Sequence, residues 1–143
     1  MIMVEEFLRS GNLGNLRRGL SREEVRRLLG EPPDYSEKNW KHEIWKYDDL
    51  QVAFSGNSAS FIGLYFKNGA VRLPASLIED GRITVENDRV RDLEEFLRAR
   101  NIDFTVDADL TFDNHTLLRV TGSGVGIGFT DDRLSSMQLM SQK

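Results

Sequence analysis

The chain has no cysteine, three prolines and two histidines among its 143 residues. Without cysteine there is no disulfide, no thiol nucleophile, no thiolate metal ligand and no cysteine-linked lipid. Two histidines do not complete a zinc site, which takes three or four ligands, and no His-x-x-His or carboxylate–histidine spacing supplements them. No apolar run approaches the ~18 residues of a membrane span. The opening stretch MIMVEEFLRS carries glutamates where a secretory signal would be basic and then apolar. A basic excess is also lacking: 19 Lys and Arg stand against 23 Asp and Glu, for a net charge of −4. That sign disfavours a protein that must neutralise nucleic-acid phosphates. These absences predict a cytoplasmic protein with neither a nucleic-acid nor a membrane partner.

What is present is ordinary for a globular chain, with 39% hydrophobic and 29% charged residues. That suits one compact domain or two half-domains sharing a sheet. VEEFLRS (4–10) reads as a short helix with Val4, Phe7 and Leu8 on one side. In GLSREEVRRLLGEPP, Ser21 and Glu24 have the spacing of a capping box, and Val25, Leu28 and Leu29 recur at helical intervals. Gly30 stops that helix in a left-handed conformation and Pro32–Pro33 prevent its continuation, so the predicted span is 22–29. HEIWKY, LQVAF and SFIGLYF then read as strands, with Asp48–Asp49 a tight turn. NDRVRDLEEFLRARN resumes helix, with Asn87 as its expected cap and Val90, Leu93, Phe96 and Leu97 as its apolar stripe. A short extended piece near DFTVD and the strands HTLLRV, VGIGF and LSSMQLM complete the chain.

The two halves align. His42 falls on His115, Ile44 on Leu117, Lys46 on Arg119 and Tyr47 on Val120. After a longer turn in the second half, Val52 meets Ile127, Phe54 meets Phe129, Ile62 meets Met137 and Leu64 meets Leu139. Such a register predicts an internal duplication. The expected fold is therefore α+β: a tandem repeat of short helices plus an antiparallel three- to four-stranded sheet, with helices on one sheet face. The expected organisation is a first repeat over 1–68, a connector over 69–86 and a second repeat over 87–143.

TGSGVGIGF (121–129) is the stretch that most resembles a phosphate loop. It departs from the dinucleotide fingerprint, which would need glycine where Ile127 or Phe129 stands, and it lacks the Gly-Lys-Ser/Thr ending of a P-loop. Its alignment with the Asp48–Asp49 turn predicts a hairpin, with Gly126 and Gly128 pointing outward. DADLTFD (107–113) lacks the glycine and final glutamate of a calcium loop, so a solvated turn is expected. The acidic pairs Glu5–Glu6, Glu23–Glu24 and Glu94–Glu95 fit capping and solubility. Arg17, Arg18, Arg22, Arg26 and Arg27 interleave with glutamates as an ion-paired helix surface. No Gly-x-Ser-x-Gly elbow or nucleophile–base pair is present. No enzyme, metal or cofactor is predicted.

Sheet parity points to a binding surface instead. Trp45, Tyr47, Leu50, Val52, Phe54, Ile62, Leu64 and Phe66 alternate onto one face, which suits packing against helices. The other face carries aromatics, cations and small residues, an arrangement suited to protein binding. Trp40, Lys46, Phe61, Tyr65 and Arg119 are the expected partner-binding residues. Phe61 and Tyr65 would be the anchors, and Lys46 and Arg119 would steer an acidic partner. A second subunit forming a homodimer, or the connector itself, could cover the same face. A small-molecule or regulatory-ligand pocket between the repeats is the alternative function.

Gly19, Leu20, Ser21, Val25, Leu29, Gly30 and Pro32 match a Gly-hydrophobic-Ser/Thr-x-x-x-Val-x-x-x-Leu-Gly-x-Pro pattern, followed by IWKY and two further strands. In this the chain resembles the SmpA/OmlA-type outer-membrane lipoproteins and the β-lactamase-inhibitor-protein family, over about residues 11–66. It also resembles small bacterial proteins of the toxin-neutralising immunity type. The resemblance implies a helix–helix–sheet unit that can occur in tandem and a non-catalytic inhibitor-like role, and it carries over no active-site residues.

Overall fold

The structure, a computed structural model, describes residues 2–36 and 43–140. Helices α1 (Ile2–Ser10) and α2 (Arg22–Leu29) precede strands β1 (Asp34–Ser36), β2 (Ile44–Tyr47), β3 (Leu50–Ser55) and β4 (Ser58–Tyr65). A small ribbon of β5 (Ala70–Arg72) and β6 (Arg82–Thr84) leads to α3 (Val90–Ala99). Strands β7 (Phe104–Val106), β8 (His115–Val120), β9 (Gly126–Thr130) and β10 (Arg133–Leu139) follow.

The expected tandem of helix-plus-sheet units, each with its own three- to four-stranded sheet, is not what forms. Eight strands make one antiparallel sheet in the order β1-β2-β3-β4-β10-β9-β8-β7. The seam is β4 against β10, with Ile62 opposite Leu139, Gly63 opposite Gln138 and Leu64 opposite Met137. Alternation along a strand assigns its faces but carries no information about its edges. Here two apolar strands that would each end a sheet satisfy one another's backbone groups. The helices are also unequal. The sheet dominates the fold, and α1 lies against the part of the sheet built from the end of the chain. Leu139 side-chain atoms crowd Gly11, Ser123 Oγ donates to the Leu8 carbonyl at 2.7 Å, and Arg9 donates to the Arg100 carbonyl at 2.7 Å.

On either side of the seam the strand registers correspond. Lys46 pairs with Gln51 as Arg119 pairs with Gly126, and Ile44 pairs with Ala53 as Leu117 pairs with Gly128. Each long strand also carries a bulge, with Ser60 extra between Ala59 and Phe61 and Ser135 extra between Leu134 and Ser136. The bulge resets parity, so that Ala59 and Ile62 both face the core, as do Leu134 and Met137.

One core lies between the helices and the inward face of the sheet. Trp45, Val52, Phe54, Ile62 and Leu64 join Leu118, Ile127, Phe129, Met137 and Leu139 in it, with Phe7, Leu8, Val25, Leu93 and Leu97 from the helices. In α2 the capping box forms: Ser21 Oγ accepts from the Glu24 amide at 3.2 Å, and Glu24 accepts from the Ser21 amide at 3.1 Å. Asn87 is not the cap of α3. Arg89 holds that position, its amide donating to Asp92 at 3.2 Å, while the β9–β10 turn sends Asp132 to accept from the Val90 amide at 3.2 Å. The acceptor thus comes from 42 residues away, beyond any local signal. Between the halves, Val71, Leu73, Ile83 and Val85 of the 69–86 segment are buried, and Leu77 reaches Gly14 beside Met3. That segment packs on the helix side, leaving the opposite sheet face without a roof from it.

The buried Tyr47 hydroxyl donates to the Gly30 carbonyl at 2.8 Å, tying β2 to the stop of α2. Burial pushes its phenol up to about 12, with the Glu31 charge adding and Arg26 opposing. A folded value above the unfolded one, near 10, makes this contribution full below pH 10 and lost as pH rises towards 12. Tyr47→Phe should cost about 1 kcal/mol at neutral pH, the usual net worth of such a bond. Urea unfolding should also show the wild type losing part of its advantage over this variant between pH 10 and 12. Equal stability of the two proteins at neutral pH would rule the bond out as a contributor.

Candidate functional site

The face opposite the helices is built by alternation from β2, β3, β4, β10, β9 and β8, and its most distinctive part is at the seam. Gly63 is buried on this face. A Cβ placed there would lie 2.8 Å from Phe61 and 3.1 Å from Tyr65, so both rings lie down on bare glycine backbone. Phe61 and Tyr65 are therefore half-buried and form one clasp, where sequence spacing alone suggests two separate anchors. Gln138 donates to the Tyr65 hydroxyl at 3.1 Å, carrying the polar contact across to β10. Burial raises the Tyr65 phenol above its ordinary value, and that hydrogen bond partly offsets the effect.

Beyond Gln138 the face opens into a groove of about 360 Å³. Gly126 and Gly128 contribute to its lining, together with Leu117, Arg119, Ser135, Ser136 and Gln138. The loop after β7 supplies Leu110 and Phe112, and Met140 follows β10. Phe112, Leu110 and Met140 are 55%, 47% and 50% exposed, three of the five exposed large apolar side chains among the described residues. Local bonds hold the loop in place: Asp107 accepts from the Leu110 amide at 3.2 Å and Thr111 from the Leu117 amide at 3.1 Å. The Phe112 ring stands 5.5 Å from that of His115.

The five residues expected from sequence are distributed unevenly. Phe61 and Tyr65 meet over Gly63, and Arg119 lines the groove. Arg119 is engaged internally, donating to Asp107 at 3.2 Å and to the Gly124 carbonyl at 3.1 Å. Lys46 sits half-buried on β2, paired with Gln51 and, across β1, with Asp34. Five strand spacings separate β2 from β8, roughly 24 Å, so the two cations stand on opposite sides of the clasp. Trp40 and His42 lie outside the described residues. His115 is exposed at the groove, and no group of three potential metal ligands occurs among the described residues.

Sequence reasoning passed over Leu110 and Phe112. The available signal was a pair of large apolar residues inside the acidic run Asp107–Asp113, which a merely solvated turn does not need. Residues 121–125 form the β8–β9 turn, with Gly124 at φ +79° and Ser123 buried. Two larger clefts carry less. The 590 Å³ cleft beside α3 includes Glu86, Glu95 and Asp92, the last already holding the Arg89 amide. The 540 Å³ cleft by the β5–β6 ribbon includes Asp49, already engaged by the Arg72 amide and Lys67.

No protein family and no curated protein matches this sequence. The chain is similar to a solved structure, an extracellular protein containing an SCP domain from Bacillus anthracis str. Ames, at 10% identity and a TM-score of 0.45. The match covers 87% of this chain and 44% of that one, so this chain spans less than half its length. A likeness so slight has no bearing on the site.

Proposed function

We propose that the protein is a non-catalytic binding module that holds a protein partner, in the manner of an inhibitor or immunity protein, on the sheet face opposite its helices. One observation carries the reading. Leu110, Phe112 and Met140 leave large apolar side chains in solvent, and all three edge the same groove. Convergence of exposed apolar groups within a polar rim is the usual anatomy of a docking surface. The Phe61–Tyr65 clasp continues the surface through Gln138. The hydroxyls and Gln138 around the groove favour a second reading, a small-molecule site of modest size.

The test is capture from the source organism followed by calorimetry with the purified partner. Phe112→Ser combined with Met140→Ser alters only exposed side chains, so stability should move by no more than about 0.5 kcal/mol. Partner binding should weaken by at least ~2 kcal/mol, the hot-spot threshold. Phe61→Ser with Tyr65→Ser should also weaken it. Equal capture by wild type and both variants would sink the reading, and self-association seen by light scattering would redirect it to a homodimer.

A further inference from the structure

We infer that the cleft beside the β5–β6 ribbon is a binding site for one phosphoryl group, gripped between Arg72 and Arg82. The site is separate from the protein-binding face above and uses none of its residues.

The register of the ribbon brings the two arginines together. Val71 and Ile83 are buried, so alternation turns Arg72 and Arg82 out on the other face, directly opposite one another. The Leu73 amide donates to the Gly81 carbonyl at 3.0 Å and the Val85 amide to the Gly69 carbonyl at 2.6 Å. Alternate pairs of the ladder therefore carry the hydrogen bonds, and Arg72–Arg82 is a pair without them. At such a pair the Cα atoms stand roughly 4.5 Å apart and the side chains are closest. Like charges placed opposite one another destabilise a ladder. Both arginines are exposed, and neither guanidinium has an ion pair or hydrogen bond to another described residue.

The rest of the cleft is fixed around them. The Asp49 amide donates to the Arg72 carbonyl at 3.1 Å, and the Asp49 carboxylate accepts from the Arg72 amide at 2.8 Å. The β2–β3 turn thus clamps the main chain of Arg72. Lys67 enters from a tight turn whose Asn68 and Gly69 lie at φ +52° and +77°. A Cβ on Gly69 would stand 2.6 Å from the Val85 carbonyl oxygen, so only glycine fits there. Arg72, Arg82 and Lys67 line the cleft against Asp48 and Asp49, a surplus of one positive charge. Asp49 is already engaged by Lys67 and the Arg72 amide, which leaves Asp48 alone to oppose the arginine pair.

An anion between the arginines removes their repulsion. Each guanidinium is a planar fork that grips two oxygens at once. One fork occupies both oxygens of a carboxylate, whereas a tetrahedral phosphoryl group has oxygens to meet two forks. The same chemistry comes as free phosphate or as a phosphate monoester.

Sodium phosphate, glycerol 2-phosphate and sodium acetate, each titrated into the ¹⁵N-labelled full chain at constant ionic strength, test this directly. Phosphate should saturably shift the amides of Ala70, Arg72 and Arg82, and acetate should bind at least about tenfold more weakly. Glycerol 2-phosphate matching phosphate assigns the site to a monoester, and a response to phosphate alone assigns it to the free ion. Arg72→Gln and Arg82→Gln change only exposed side chains, and each should weaken phosphate at least about tenfold. Asp48→Asn removes the opposing charge and suits the positive φ of +56°, so it should tighten phosphate at least about twofold. Arg17→Gln, the same loss of charge at an exposed arginine outside the cleft, should leave the response unchanged. No saturable shift, acetate equal to phosphate, or a response unchanged in either cleft variant would overturn the inference. Equal weakening by Arg17→Gln would overturn it too, because attraction would then come from net charge and not from the pair.

Discussion

Trp45→Ala should lower the unfolding free energy by about 3–5 kcal/mol, the range for truncating a buried aromatic. Trp45 is 2% exposed and packs edge-on to Phe54 at 4.7 Å between ring centroids. The Arg26 guanidinium lies 4.9 Å over its ring, so one side chain links α2, β2 and β3. Alanine would remove the transfer free energy of the ring and leave Phe54 without its partner, a pair worth about 0.5–1.5 kcal/mol beyond area alone. The loss takes much of the ~5–15 kcal/mol that stabilises a typical domain. Trp45→Phe, which keeps a ring, should cost clearly less. Denaturant unfolding with an unchanged slope gives the number. A loss under about 1 kcal/mol, the centre of the distribution for ordinary substitutions, would mean that the ring is not the keystone of this core.

Trp45 also marks how much of the fold was legible in the sequence. Its inward position follows from simple alternation with Tyr47, Val52 and Phe54, and all four are buried. The span of α2 follows from Ser21, Glu24 and Gly30, because capping and stopping are local chemistry. Pairing between β4 and β10 is not local. Ile62 and Leu64 state that β4 is apolar on one face, and nothing in them states that Leu139 and Met137 lie beside them. For the same reason α3 takes its acceptor from Asp132 and not from Asn87.

The candidate site divides along the same line. Alternation correctly sends Gly126, Gly128 and Arg119 to one face, and all three line the groove. The groove itself depends on the loop that folds Leu110 and Phe112 over that face. The loop is held by the Asp107–Leu110 and Thr111–Leu117 bonds, which no periodicity announces. The Phe61–Tyr65 clasp was half legible. Their shared parity is in the sequence, while the burial of Gly63 beneath both rings is a matter of rotamers.

Residues 1–68 produced alone should fail to fold. In the whole protein β4 bonds to β10 along Ile62–Tyr65, and without that partner its edge would offer apolar residues and unpaired backbone groups to any other strand. The first helix would lose more. Leu8, Arg9 and Gly11 meet Ser123, Arg100 and Leu139, Glu5 pairs with Arg100 at 2.8 Å, and Arg18 donates to the Met140 carbonyl. Every one of those partners lies beyond residue 68. A segment of this length rarely sustains a core by itself, and this one would leave part of its apolar helix face uncovered. In the intact chain, tryptophan fluorescence reports Trp40 and Trp45, both in the first half, whereas far-ultraviolet circular dichroism reports both halves. The two signals should give one coincident unfolding transition. Residues 1–86 mixed with 87–143 should recover the native spectrum that neither piece shows alone. A cooperative transition from isolated 1–68, or two separated transitions in the whole chain, would show that the seam joins two independent units.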